Sequence, residues 1–376
     1  MNKLKIFFIS LLIGSGLGTV SFFLSCFLQG DKYNLAFSFF FKQMSLHPLA
    51  PGNQLHYRIL LPLIGYLTGL KGDHYYILSI IGTILFLTLA CFWAYLFYKN
   101  WKTAFLLSLV LTGLPVVLYN NVIYGWPDIY CYIFLILAML DPKVCFIYVL
   151  LGVLSHEFFV SYIPFICLYH CRFTPEIFKD RKQALSQVGI GLLVLIIYGL
   201  IRFDLGFFHD SDFTVKFYAD IILKNGLFSE LNQQPLLFGF FTAYGMSFIL
   251  IPIFIFFLLK DFNKYRADLL LLISAFLPAL LLFIAHDTTR FWSNTFIFIL
   301  LVPRYLPIAY NPLLLFIAIS NLLLPSFYVS PVWQAPLNRQ ADIVYSWVMK
   351  RVDNRILIEN LRTFDIPAIV KELEKC

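Results

Sequence analysis

Five ionisable residues stand out in an otherwise apolar chain: Asp31, Asp128, Glu157, Asp287 and Arg290, each at or near one end of an apolar run. In a lipid-facing protein such a group must find water, a partner or a ligand, so function is its default reading. Three short stretches gather them with other special residues: Gly125-Trp126-Pro127-Asp128, Ser155-His156-Glu157-Phe158 and His286-Asp287-Thr288-Thr289-Arg290. The ordinary alternatives are solvated helix ends for the acids, an i, i+3 pair with Asp287 for Arg290, and headgroup snorkelling for Arg58. His156, Glu157, His286 and Asp287, with Asp31 or Asp128, offer nitrogen and oxygen ligands of the kind Mg²⁺, Mn²⁺ or Zn²⁺ accept. No HExxH or comparable spacing accompanies them, so no metal ligand is assigned and a divalent Mg or Mn ion is kept only as a secondary possibility.

The elements that position these residues must be membrane helices. Of 376 residues, 60% are hydrophobic and 13% charged, with a mean hydropathy of +0.80. Soluble domains carry about 25% charged residues, and so little polar surface cannot cover a water-soluble globule. The net charge of +7 does not point to nucleic acid, because the bases sit in short clusters between apolar runs, where they set orientation in a bilayer. Seven cysteines (Cys26, Cys91, Cys131, Cys145, Cys167, Cys171 and Cys376) lack paired spacing. They indicate neither a disulfide framework nor a zinc site.

Lys3 and Lys5 precede an apolar run from Ile6 to Leu28, which predicts an uncleaved first helix with a cytoplasmic N-terminus. Gly14 and Gly18, at i, i+4, suit close helix packing. Further runs cover 76–98, 104–119, 184–202, 236–259, 267–285 and 313–329, with shorter ones between them. Residues 144–170 are interrupted at Ser155-His156-Glu157, and a single span there would bury a Glu at mid-bilayer, at a cost of about 2–3 kcal/mol or more. Two short helices joined at 155–157 avoid this by exposing both His156 and Glu157 to water. With 57–70 taken as a helix lying at the outer surface, about eleven crossings alternate. All cytoplasmic turns are then basic, and the five acidic and basic candidates, with six of the seven histidines, fall on the outer side. The alternative lets 57–70 cross and makes 144–170 one span, but it places Lys99 and Lys102 outside. Residues 1–330 form one all-α polytopic domain with a first outer loop over 29–75 and a second over 204–235. Residues 331–376 form a short amphipathic helical tail on the outer side.

A first helix, an acid at the head of a long outer loop (Asp31), a proline-bearing stretch Tyr57-Arg58-Ile59-Leu60-Leu61-Pro62-Leu63, and Gly125-x-x-Asp128 before a short helix with a polar hinge: this plan resembles the GT-C superfamily of membrane glycosyltransferases. The resemblance covers about residues 1–330 and is one of architecture and spacing. It departs where many members have paired acids, since Lys32 follows Asp31, and where many have a hinge lysine, since this chain has His156-Glu157. It implies transfer of a sugar from a polyprenyl-phosphate donor to a lipid-linked, polysaccharide or protein acceptor. Asp31 would be the general base, with Asp128 and Glu157 as further catalytic acids. Arg58, Arg290, His156 and His286 would hold the donor phosphate, and Tyr124, Trp126 and Asp287 the sugar or lipid chain. The expected place is a bacterial plasma membrane, with membrane lipid but no nucleic acid as a partner. Two other classes remain: a transporter or flippase of a lipid-linked anion, and a GT-C-like scaffold without catalysis.

Overall fold

The computed structural model describes residues 2–25, 36–50, 58–123, 125–174, 235–283, 288–306, 310–329 and 334–349, with a few positions between 189 and 200. Among the described residues three helices are long and apolar enough to cross a membrane: Lys3–Leu24, Gly72–Tyr98 with its opening 3-10 turn, and Leu236–Lys260. A fourth span results if Trp101–Thr112 and Pro115–Val122, bent by 47°, count as one. The expected crossings beyond these rest on shorter apolar helices, among them Asp128–Leu140, Cys145–Ser155 and Asn311–Leu323. Most of the apolar run at 184–202, the loop at 204–234 and the tail beyond 349 lie outside the described residues.

Helix α1 (Lys3–Leu24) starts where the Asn2 side chain accepts the Leu4 N–H at 3.2 Å. It runs antiparallel to α4 (Tyr76–Tyr98): Gly14 sits on Thr88 and Gly18 on Ile84, so closely that a Cβ at either position would overlap the neighbour. Small residues let these two backbones approach, as the i, i+4 spacing predicts. Between them α2 (Ala36–Leu46) and α3 (Leu60–Thr68) form a short layer over one end of the bundle. At nine residues α3 rises only about 14 Å, too little for a crossing. Phe41, Met44 and Leu61 are buried, so this layer is packed into the bundle and does more than rest at a surface. It is tied to the start of the next helix by polar contacts: Ser45 Oγ accepts the buried Gly72 N–H at 2.9 Å, and at the surface Lys42 pairs with Asp73.

From the far end of α4 the chain returns through α5 (Trp101–Thr112) and α6 (Pro115–Val122). It descends in α7 (Asp128–Leu140), ascends in α8 (Cys145–Ser155), breaks in a 3-10 segment (Glu157–Tyr162) and descends again in α9 (Ile163–Phe173). His170 Nε2 meets the Ala138 carbonyl at 2.8 Å, and the Trp93 indole donates to Tyr169 at 3.1 Å. The end of α9 therefore lies beside the ends of α7 and α4, and the chain reverses at 156–162 as the sequence predicts. Pro115 and Pro164 stand in the first turns of α6 and α9, where a missing N–H costs nothing.

The second half repeats this travel between the two ends with α10 (Leu236–Tyr244), α11 (Leu250–Lys260), α12 (Phe262–Ser274), α13 (Thr288–Ser293), α14 (Ile297–Leu301) and α15 (Asn311–Leu323). The far end is closed by an Arg172–Asp268 pair and by Arg304 over the rings of Phe173 and Phe97. Two short strands, β1 (Phe327–Val329) and β2 (Gln334–Pro336), pair antiparallel with Phe327 opposite Pro336. An all-α expectation did not include them, but the Phe-Tyr-Val run favours a pleated surface, and the Val329 N–H donates to Thr289 Oγ1 at 3.0 Å. Helix α16 (Arg339–Met349) follows, with Ile343 exposed and Ala341 buried.

Gly14→Leu is expected to lower stability by about 1–3 kcal/mol through overpacking against α4. Gly16→Leu, which faces open space, leaves it nearly unchanged. Thermal unfolding of the two variants in detergent distinguishes them.

Candidate functional site

The end of the bundle that holds the start of α7 also holds the α8–α9 reversal and the start of α13. Gly125 adopts φ 82 and its N–H donates to Ser79 Oγ on α4, while a Cβ there would enter the Tyr75 ring. Only glycine suits both demands. That turn drops Trp126 inward and lets Pro127 open α7, leaving Asp128 in its first turn, where the helix N-terminus favours a carboxylate.

Asp128 is fully buried and Arg290, on α13, is 4% exposed. The Arg290 Nε donates to Asp128 Oδ2 at 2.6 Å, and its Nη2 meets His156 Nε2. On the other side of the imidazole, His156 Nδ1 lies 3.0 Å from Glu157 Oε2. Glu157 in turn receives both Nε and Nη2 of Arg58, at 3.1 and 2.6 Å. The result is a continuous chain: Asp128, Arg290, His156, Glu157, Arg58. Trp126 lies beneath it, with the Arg290 and Arg58 guanidinium carbons 4.8 and 5.5 Å from its ring centre. Cations over an indole face are favourable, more so when desolvated.

The charges fix the protonation state of the imidazole. Burial, then the nearby Arg58 and Arg290, hold His156 well below the usual histidine range, against the opposite pull of Glu157. A neutral ring accepts from Arg290 at Nε2 and donates from Nδ1 to Glu157. The Phe158 N–H, 3.3 Å from the same Nδ1, is the longer and weaker claim on that atom. For Glu157, burial would raise the carboxyl, but Arg58 and His156 together hold it well below the usual carboxylate range. With His156 neutral, the two cations and two anions that the described residues bring to the cluster cancel.

Beneath this layer lies a second. Tyr132, one turn below Asp128, donates to Asn294 Oδ1 at 2.5 Å, and Tyr162 donates to the Asn294 carbonyl at 2.5 Å. Asn294 itself stands one turn below Arg290. Sequence reasoning missed all three because they carry no charge and sit within apolar runs; for Tyr132 and Asn294 the i+4 spacing from Asp128 and Arg290 was the available signal, and Tyr162 offered none.

Of the residues singled out in the sequence, the structure brings together Arg58, Trp126, Asp128, His156, Glu157 and Arg290. Asp31, Tyr124, His286 and Asp287 lie outside the described residues. The expected exposure of His156 to water is corrected: the helix break delivers it into the protein, 2% exposed, because two guanidiniums and two carboxylates surround it. Glu157 alone of the five chain members keeps substantial surface, with a side chain 30% exposed. Arg58 turns inward to Glu157 and does not snorkel. Trp126, 3% exposed, gives its ring to the guanidiniums and has no face left for a sugar. Among the described residues no group of three or more His, Cys, Asp or Glu is disposed to hold a metal ion. A dication does not fit here, since both carboxylates already face guanidiniums that would repel it.

No family model matches the chain, and neither a curated protein nor a solved structure is found to be similar to it.

Removing one member of a buried pair leaves an uncompensated charge, at a cost of about 3–5 kcal/mol. Asp128→Leu and Arg290→Leu should each lose about that much, and the double variant should regain most of it; a thermal-unfolding double-mutant cycle measures the coupling. Both depressed groups contribute stability above their unfolded values and lose it on acidification. The melting temperature should therefore be flat above about pH 7, fall once pH drops below about 6.5 as the unfolded state takes up protons at His156, and fall further below about 4.3 as Glu157 adds its share. His156→Gln should reduce the first part of that decline.

Proposed function

We propose that this protein is a polytopic membrane glycosyltransferase of the GT-C kind, with about eleven crossings and its working end on the extracytoplasmic face. It moves a sugar from a polyprenyl-phosphate donor to a lipid-linked, polysaccharide or protein acceptor. The observation that carries this reading is the convergence of Arg58 and Arg290, from opposite halves of the chain, over one indole beside a partly exposed carboxylate. A phosphate leaving group needs such forked donors. The same end of the bundle receives the end of α1, where Asn121 of α6 donates to Ser21 at 2.7 Å, and Asp31 follows α1 in sequence.

The chemistry balances with few parts. The acceptor hydroxyl oxygen attacks the anomeric carbon while its proton passes to the Asp31 carboxylate. The bond from that carbon to the phosphate oxygen breaks, and the electron pair leaves with the phosphate, whose growing charge the guanidiniums stabilise. Direct attack inverts the centre. A carrier of lipid-linked anions would want its charged site near mid-membrane between related halves, whereas this cluster stands at helix ends. A scaffold without catalysis would keep the lipid and lose the transfer.

Asp31→Asn should abolish sugar transfer by membranes expressing the protein while leaving its expression unchanged. Unchanged transfer removes Asp31 from the mechanism. Mass spectrometry of the purified protein should find a co-purifying polyprenyl phosphate; its absence would count against the donor assignment.

A further inference from the structure

Resting on the reading of a phosphate-bearing lipid at this cluster, we infer that Arg58 is an exchangeable partner: the ligand's phosphate takes its guanidinium from Glu157 and frees that carboxylate as the site fills. The two arginines are held differently. Arg290 is shared between a fully buried Asp128 and His156 and lies nearer the Trp126 ring. Opening that pair would strand a carboxylate in the interior. Arg58 is extended from the coil that precedes α3, and its carboxylate partner opens a 3-10 segment with part of its side chain at the surface. A 3-10 turn has poorer hydrogen-bond geometry than an α-helix and yields more easily.

Neither group is orphaned by the exchange. Glu157 keeps its 3.0 Å contact with His156 Nδ1, and Arg58 keeps the face of Trp126. Without this step an anion approaching the cluster meets a neutral network in which every cation already faces a carboxylate. With it, the incoming charge replaces an outgoing one at Arg58, and the released Glu157 can accept a hydrogen bond from a polar group of the acceptor other than the attacking hydroxyl. The device imposes an order: donor first, acceptor second. It also makes Glu157 a competitor of the ligand, so its removal should tighten binding.

The test is equilibrium binding of farnesyl phosphate to the full-length protein in detergent, with farnesol and inorganic phosphate as separate arms. Wild type should bind farnesyl phosphate at least about tenfold more tightly than farnesol, Arg58→Gln should lose about tenfold, and Glu157→Gln should gain about three- to tenfold, the scale of one charged pair. Glu157→Asp, which keeps the charge but withdraws it by one methylene, should also gain, and it serves where the Gln variant does not fold. A Glu157 variant that elutes as a folded monodisperse protein and binds no more tightly than wild type overturns the exchange and leaves the donor reading intact. Binding of inorganic phosphate that tightens in Glu157→Gln, with no preference for the prenyl chain, sustains the exchange and sinks the lipid donor.

Discussion

Four formal charges, three of them buried, at one end of an apolar bundle are expensive unless each finds its opposite, and that demand organises this half of the molecule. Asp128 and Arg290 have almost no contact with solvent, and isolating either would cost several kcal/mol. Their pairing requires the first turn of α7 to meet α13 across 162 residues of sequence. The second pair requires the coil before α3 to reach the α8–α9 break, 99 residues away. Neutral His156 joins the two pairs, and the Trp126 ring supports both cations from below. Slippage of any one of these segments by a turn would leave a charge without its partner, so the cluster sets helix register as much as it sets chemistry.

The break at His156 follows from the same constraint. A continuous helix from Cys145 to Phe173 would have carried Glu157 through the apolar interior. Reversal places it instead beside Arg58, and Gly152, against whose backbone the Phe159 ring packs closely, allows the returning chain to come near. The layer of Tyr132, Tyr162 and Asn294 then ties α7, the 3-10 segment and the end of α13 together directly beneath the charges.

Much of this was visible in the sequence because membrane burial makes polar residues conspicuous. The stretches Gly125 to Asp128 and Ser155 to Phe158 could be picked out by eye, and the cost of a buried Glu predicted the reversal. Pairing could not be read. Arg290 has Asp287 three residues away in sequence, and nothing local says that it reaches Asp128. The same gap misassigned Trp126: an aromatic beside an acid fits a sugar platform equally well, and only the arrival of two distant arginines decides. The strands at 327–336 were hidden by the apolar run that feeds α15, whose hydrophobicity continues past the end of the helix.

The lengths of α7, α8 and α9 have a consequence for the surrounding lipid. At 13, 11 and 11 residues, they rise about 17–20 Å each, against a hydrocarbon core of about 30 Å. Ile147 and Val160 project outward on this stretch; on the proposed topology acyl chains would border it and shorten to match, pulling the headgroup plane inward. A long-chain lipid arriving along that dimple would bring its polar end level with Glu157 while its tail stayed in the leaflet.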